Sequence, residues 1–434
     1  MSVFNEKNTQ LHIENVELNT IADKYGTPCY VYSRAAITSA YQAYANALGE
    51  HPGRICFAVK ANSNIAVLQV LAELGAGFDI VSKGELQRVL KAGGDPKKTI
   101  FSGVGKTTEE MLFALKTGIS CFNVESHAEL LLLSKVAHSE NLVADISLRV
   151  NPDVDAQTHP YISTGLKENK FGVDIEKAVD IYNVAKDLPG IRIVGVDCHI
   201  GSQLTETQPF LDALDRLLIL LDRLEQNGIH IEHLDLGGGL GVRYNDESVP
   251  AVGEYMEALK AKLGDRKISL AFEPGRSIVA NAGVLLTEVL FLKPTTHKNF
   301  AIIDAAMNDN LRPSLYQAWQ EVRPLKTNPQ AKKENWDLVG PICETGDFLA
   351  KGRDLAIETG DRLALMSSGA YGFVMSSNYN SRGRAPEILV DNDECFLIRE
   401  REDFDDLVRG EHLIPVRSSE HSEEVPVELG IVGR

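Results

Sequence analysis

Between residues 54 and 276, short apolar or β-branched runs alternate eight times with longer amphipathic stretches, and this rhythm restricts the fold more than any other feature of the chain. The runs fall at 55–59, 78–81, 99–102, 120–124, 145–150, 192–198, 232–236 and 268–272. The intervening stretches, such as 64–72, 85–92, 109–116, 127–137, 175–185 and 210–226, carry their apolar residues at helical spacing. Strand and helix in alternation imply parallel strands joined by crossover helices. Eight units predict an α/β fold closed into a (β/α)8 TIM barrel. An open doubly wound sheet is the competing arrangement, but no GxGxxG follows the first run.

After residue 280 the pattern changes. Residues 283–292, 299–303, 362–366 and 387–390 read as strands without regular helical spacers, and 27–33 also reads as extended. The expected organisation is a barrel over 35–282 and a mostly-β domain, sandwich-like or barrel-like, made from 1–34 and 283–434. The polar, acidic stretch 418–428 is expected to be disordered.

Composition narrows the partners. The net charge is −17, from 61 acidic and 44 basic residues, with no dense Lys/Arg run, so nucleic acid is not an expected partner. No stretch approaches the roughly 20 apolar residues of a membrane helix. Met1 to Gln10 lacks a basic region followed by an apolar run, so a cytoplasmic location is expected. The six cysteines are scattered without a CxxC pair, which gives neither a zinc site nor a disulfide framework, and no metal is expected. Five of them read as buried small apolar residues.

In a barrel of this kind the functional groups gather at the C-terminal ends of the strands. Lys60 ends the first run, Asp79 lies within the second, and His199 ends the sixth. Gly237-Gly238-Gly239 ends the seventh and Glu273-Pro274-Gly275-Arg276 the eighth. Three consecutive glycines bare backbone N–H groups that can wrap a phosphate, and loops seven and eight are the usual phosphate site of the fold. A lone triple glycine is more often only a tight turn, and a lone lysine after a strand is usually a solvated charge. Together on one rim, they point to pyridoxal 5′-phosphate held by Lys60 as a Schiff base. Desolvation and nearby cations are expected to lower the lysine pKa. Glu273 is placed to face the pyridine nitrogen and make the ring an electron sink.

These residues carry a family resemblance. The chain resembles the diaminopimelate decarboxylases, within the alanine-racemase-like group of pyridoxal-phosphate enzymes. The motifs occur in order: Phe57-Ala58-Val59-Lys60-Ala61-Asn62, His199-Ile200-Gly201-Ser202-Gln203, Leu236-Gly237-Gly238-Gly239-Leu240-Gly241, Glu273-Pro274-Gly275-Arg276, Cys343-Glu344-Thr345-Gly346-Asp347 and Gly369-Ala370-Tyr371-Gly372. The resemblance implies a barrel plus β-sandwich fold and a homodimer. It implies that Lys60 bonds the cofactor, Glu273 meets the pyridine nitrogen and His199 stacks on the ring. Ser202, the glycine loop, Gly275-Arg276 and Tyr371 would hold the phosphate. Cys343 and Glu344 would act in the partner's active site, with Cys343 the proton donor to the α-carbon.

Substrate choice follows from the far end of the substrate. Ornithine or lysine offers only a distal ammonium, whereas diaminopimelate adds a distal carboxylate. Arg276, Arg312, Tyr316 and Glu344 supply a cation and an acid, and arginine's fork suits a carboxylate. Arg312 and Tyr316 lie four residues apart, so one helical turn can present both. The expected reaction is decarboxylation of meso-diaminopimelate to L-lysine. The alternatives are decarboxylation of ornithine, arginine or carboxynorspermidine, racemisation on the same fold, and a non-catalytic pyridoxal-phosphate-binding regulator. Residues 169–172, with the polar stretch 153–167, are candidates for a lid.

Overall fold

A computed structural model describes residues 3–154, 170–327, 330 and 332–415. All eight expected barrel strands form: Gly53–Ala58, Gly77–Ile80, Thr99–Phe101, Cys121–Val124, Ala144–Asn151, Ile191–Asp197, His233–Asp235 and Ser269–Phe272. Each pairs with its neighbour in parallel, and the last pairs with the first through Phe272 and Ile55, so the sheet closes. The barrel is the architecture the alternation predicts.

The helices form where the sequence supplies both a buried stripe and end signals. In Gln208–Gln226 the buried residues include Phe210, Ala213, Leu214, Leu217, Leu221 and Leu224, a three-to-four spacing that seals one face against the barrel. Helix Thr108–Thr117 opens on a capping box between Thr107 and Glu110 and ends at Gly118, whose φ is +76°. Strand alternation matters more for function. Phe57, Phe78, Phe101 and Phe122 join the main apolar core between strands and helices, whereas Cys56, Ile100 and Ala271 form a separate small cluster. Successive strand residues face opposite sides. Asp79 therefore lies opposite in facing to Phe78, and Asn123 to Phe122, which puts polar groups inside the barrel near its rim.

The second region is mostly β, built on Gly283–Pro294, which pairs with Cys29–Ser33, Asn299–Ile303 and Arg362–Leu365. Cys29–Ser33 lies between Gly283–Pro294 and Glu387–Asp391, so an N-terminal segment does complete this sheet. Strands at Val322–Pro324, Glu334–Val339, Phe348–Leu355 and Glu394–Arg399 extend it, and a small antiparallel sheet occupies Phe4–Glu17. The expected disordered stretch, 418–428, and most of the candidate lid, 155–169, lie outside the described residues. Of the five cysteines expected to be buried, four are; Cys395 is half-buried, because its strand forms the sheet's edge.

Candidate active site

Lys60 does not end a strand. The first barrel strand stops at Ala58, and Val59–Ala61 form a single 3₁₀ turn at the rim. This turn brings the amine into a cavity of about 480 Å³ whose wall includes Lys60, His199, Ser202, Glu273, Arg276, Arg312, Tyr316 and Tyr371. Lys60 lies deep in the barrel mouth, yet its side chain keeps 38% of its surface open toward the cavity. Its Nζ donates to Oδ2 of the fully buried Asp79. The expected low lysine pKa is not what the structure gives. Burial pulls the value down, but Asp79 and then Glu273 outweigh it and raise it above the ordinary lysine range. Two carboxylates beside the amine, rather than cations, decide the sign.

Glu273 is buried just past the eighth strand. Its Oε1 accepts from Asn123 Nδ2 at 3.2 Å and from Ser102 Oγ at 3.4 Å, which fixes the carboxyl plane. Behind it, ligand-competent oxygens of Asp197, Asp235 and Glu273 lie within 4.8 Å of one another. Burial first, then Asp235, Asp79 and Asp197, push Glu273 well above the usual carboxylate range, and burial pushes Asp235 up to about 6. Burial and mutual repulsion both disfavour the charged form of these crowded carboxyls. His199 lies in the cavity wall, where burial, Arg149 and Lys60 hold its pKa well below 6.5. The Gly238 N–H donates to His199 Nδ1 at 3.2 Å, so the neutral ring carries its proton on Nε2.

The glycine loop is shaped by close backbone approach. Gly237 and Gly239 have φ of +63° and +106°. A Cβ on Gly238 would sit 2.2 Å from the Glu273 carbonyl oxygen, and one on Gly239 would sit 2.5 Å from that of Gly201. The loop thus abuts the turns after strands six and eight, and only glycine fits. Gly239, Gly275, Ser202, Arg276 and Tyr371 line a small recess that opens beside Lys60 and Glu273. Pro274 contributes backbone only, its carbonyl accepting from the Ala58 N–H at 3.1 Å. A recess bounded by glycines, a hydroxyl and a guanidinium has the donor chemistry of a phosphate cradle. With an amine and a carboxyl at fixed places beside it, the residues fit pyridoxal phosphate.

The cavity's far side is cationic. Arg276 donates to Ser202 Oγ at 3.0 Å and to the Tyr244 hydroxyl at 2.8 Å, and its guanidinium lies 4.9 Å from the Tyr371 ring centre. Arg312 opens the one-turn helix Arg312–Tyr316, so both named residues face the cavity as the spacing predicts. The Arg312 guanidinium stacks on Tyr244 at 4.5 Å, is buried, and among the described residues leaves Nη1 without a hydrogen-bond partner. Burial, opposed by Tyr244 and helped by Arg276, lowers its pKa.

Cys343 and Glu344 do not line this cavity; both are exposed on a separate loop. The Cys343 N–H donates to Asn380 Oδ1 at 2.8 Å, and the Ile342 N–H donates to Asp347 at 2.9 Å. Tyr244, Asn123 and Arg149 were not among the residues expected at the site, and Phe171, expected only as part of a candidate lid, lies in the cavity wall. Arg149 had a visible signal, as a lone cation inside an apolar strand. Tyr244 had only its place just after the glycine loop.

Fold and site together define a pyridoxal-phosphate-dependent decarboxylase built on a parallel barrel. The family model for the pyridoxal binding domain of pyridoxal-dependent decarboxylases matches residues 34–280. The chain is 61% identical over 415 residues to a diaminopimelate decarboxylase of Pseudomonas aeruginosa, which spans 96% of this chain and all of that protein. Among solved structures, diaminopimelate decarboxylase from Helicobacter pylori complexed with L-lysine matches with a TM-score of 0.87 at 41% identity, covering 90% of this chain and 98% of that one. The enzyme from M. jannaschii in co-complex with L-lysine matches with a TM-score of 0.90 at 38% identity, covering 95% and 98%. The chain belongs to the diaminopimelate decarboxylases.

Proposed function

We propose that this chain decarboxylates meso-2,6-diaminopimelate to L-lysine and CO2, with pyridoxal 5′-phosphate as cofactor. The observation that carries the substrate choice is Arg312, a buried guanidinium in the cavity wall with an unpartnered Nη1. A buried cation without a counter-ion is costly unless an anionic ligand meets it. The distal carboxylate of diaminopimelate answers that need, and ornithine or a polyamine precursor does not.

Pyridoxal phosphate, when bound, supplies the electron sink that stabilises charge at the α-carbon as CO2 leaves. The chain's residues do the rest. Lys60 binds the cofactor through its amine, and Asp79 orients that amine. Glu273 would face the pyridine nitrogen, where a carboxylate partner keeps that nitrogen protonated. His199, neutral, would lie against the ring face. Ser202, Gly238, Gly239, Gly275, Arg276 and Tyr371 would hold the phosphate. Arg312 and Tyr316 grip the distal carboxylate, with Arg276 adding positive potential and Tyr244 spacing the two guanidiniums. The partner's Glu344 would meet the distal ammonium, and the partner's Cys343 would return a proton from Sγ to the α-carbon. This requires a homodimer with a shared site. We also propose the division into a cofactor-binding barrel, 35–282, and a β domain, 1–34 with 283–434, and a cytoplasmic location. Among the described residues no helix is long and apolar enough to cross a membrane.

The test is product analysis. Purified protein with pyridoxal phosphate should release CO2 from meso-diaminopimelate and form lysine. Release from ornithine and not from diaminopimelate would overturn the substrate assignment.

A further inference from the structure

The cavity wall formed by Phe171 is held by a residue that takes no part in the chemistry above. Glu125 follows the fourth barrel strand and is buried, with 4% of its surface exposed. Its Oε1 accepts the Gly103 N–H at 2.7 Å and Arg149 Nη1 at 3.2 Å. Its Oε2 accepts the Gly172 N–H at 3.0 Å. One carboxylate therefore joins three segments that line the cavity: the turn after strand three, the cation of strand five, and the Phe171-Gly172 segment. The Phe171 ring lies 4.9 Å from the Arg149 guanidinium, so the same carboxylate sets both the ring's neighbour and the backbone that carries the ring. Glu125 is itself pinned, because its N–H donates to Glu129 Oε2 at 3.1 Å and Glu129 is paired with the buried Lys106. Lys106 in turn donates to the carbonyls of Gly103 and Asn123.

We propose that Glu125 is a positioning residue for substrate specificity, fixing Phe171 as a wall of the substrate cavity through its bond to the Gly172 N–H. The proposal rests on the cavity being the substrate site.

The three donors make Glu125→Gln a selective cut. A glutamine oxygen in the place of Oε1 still accepts from Gly103 and Arg149. The amide NH2 then replaces Oε2 and meets the Gly172 N–H donor to donor, which breaks that bond; the Arg149 contact keeps its hydrogen bond but loses its ionic part, a loss that Gly172→Ala does not share. Gly172→Ala breaks it from the other side. Gly172 has φ of +67°, and a Cβ there would lie 3.0 Å from the Arg149 carbonyl oxygen. Both variants should bind pyridoxal phosphate with unchanged visible absorbance. Both should exchange the Gly172 amide hydrogen faster in mass spectrometry of the peptide containing it. KM for meso-diaminopimelate should rise about tenfold, the scale of one hydrogen bond to a charged group, while kcat holds. Unchanged exchange and KM in a folded Glu125→Gln protein would overturn the proposal, as would a loss confined to kcat. If that variant fails to fold, an unchanged KM in Gly172→Ala overturns it instead. If the wild-type protein ignores diaminopimelate, the substrate reading fails, while amide exchange still decides whether Glu125 holds Phe171 in place.

Discussion

Arg312, the proposed ligand of the distal carboxylate, sits where a charge should weaken the fold. Its guanidinium is buried, faces Arg276 across Tyr244, and has an unpartnered Nη1. Removing the charge should therefore not destabilise the free protein. Arg312→Met is expected to keep or raise the thermal unfolding temperature, since it replaces an unpaired buried cation with an apolar chain of similar length. The same change should lower kcat/KM for meso-diaminopimelate by about 10- to 100-fold, the scale of charge-assisted hydrogen bonds. Thermal unfolding without ligand and steady-state kinetics on one preparation check both halves. A clear drop in unfolding temperature with full activity would show that Arg312 is a structural residue. That Arg312 and Tyr316 face one cavity was legible in their four-residue spacing, which one helical turn presents on one side. Tyr244 was not, because its role comes from two guanidiniums that the chain brings to it from 32 and 68 residues away.

At the level of elements, the eight strands were legible because alternation of apolar runs is a local signal, and their ends shifted by only a residue or two. The contents of the barrel were less legible. Asp197 and Asp235 each end a barrel strand and look like boundary residues until closure brings them beside Glu273. His233 is a similar case. It is 5% exposed, its Nε2 lies 3.2 Å from Ser147 Oγ on the adjacent region of the barrel, and burial lowers its pKa to about 4. A histidine whose folded pKa is depressed is neutral in the fold but binds a proton when unfolded below about 6.5. Its contribution to stability is thus present above about pH 6.5 and lost as pH falls toward 4, by about 3 kcal/mol at most. His233→Gln keeps a neutral polar group and removes that titration. The stability difference between wild type and variant, measured by urea unfolding, should shift in favour of the variant as pH falls from 7 to 4. Asp235, raised to about 6, acts in the opposite direction over part of this window, but it is present in both proteins and cancels from the difference. A pH-independent difference would mean that His233 keeps an ordinary pKa inside the barrel.

At the scale of the whole molecule, the segment from Tyr371 to Asn380 links two regions. Tyr371 lines this chain's cavity, its N–H bonding the Ala61 carbonyl at 2.8 Å, next to Lys60. Nine residues on, Asn380 holds the backbone of Cys343, which faces outward. One stretch of chain thus touches the site it completes and the loop that, in the proposed dimer, serves the other site. This arrangement could not be read from spacing along the sequence, since it depends on which groups face away from their own cavity. It makes a complementation experiment decisive. Lys60→Ala lacks the amine proposed to bind the cofactor, and Cys343→Ala the proposed proton donor, so each homodimer should be nearly inactive. In a hybrid dimer one site combines both defects, while the other has an intact Lys60 from one chain and an intact Cys343 from its partner. Random exchange of equal amounts makes half the dimers hybrid, each with one working site, so activity should recover to about one quarter of wild type. Recovery should follow the rate of subunit exchange, measured independently with labelled chains. Complete exchange without recovered activity would mean that Cys343 does not act across the interface.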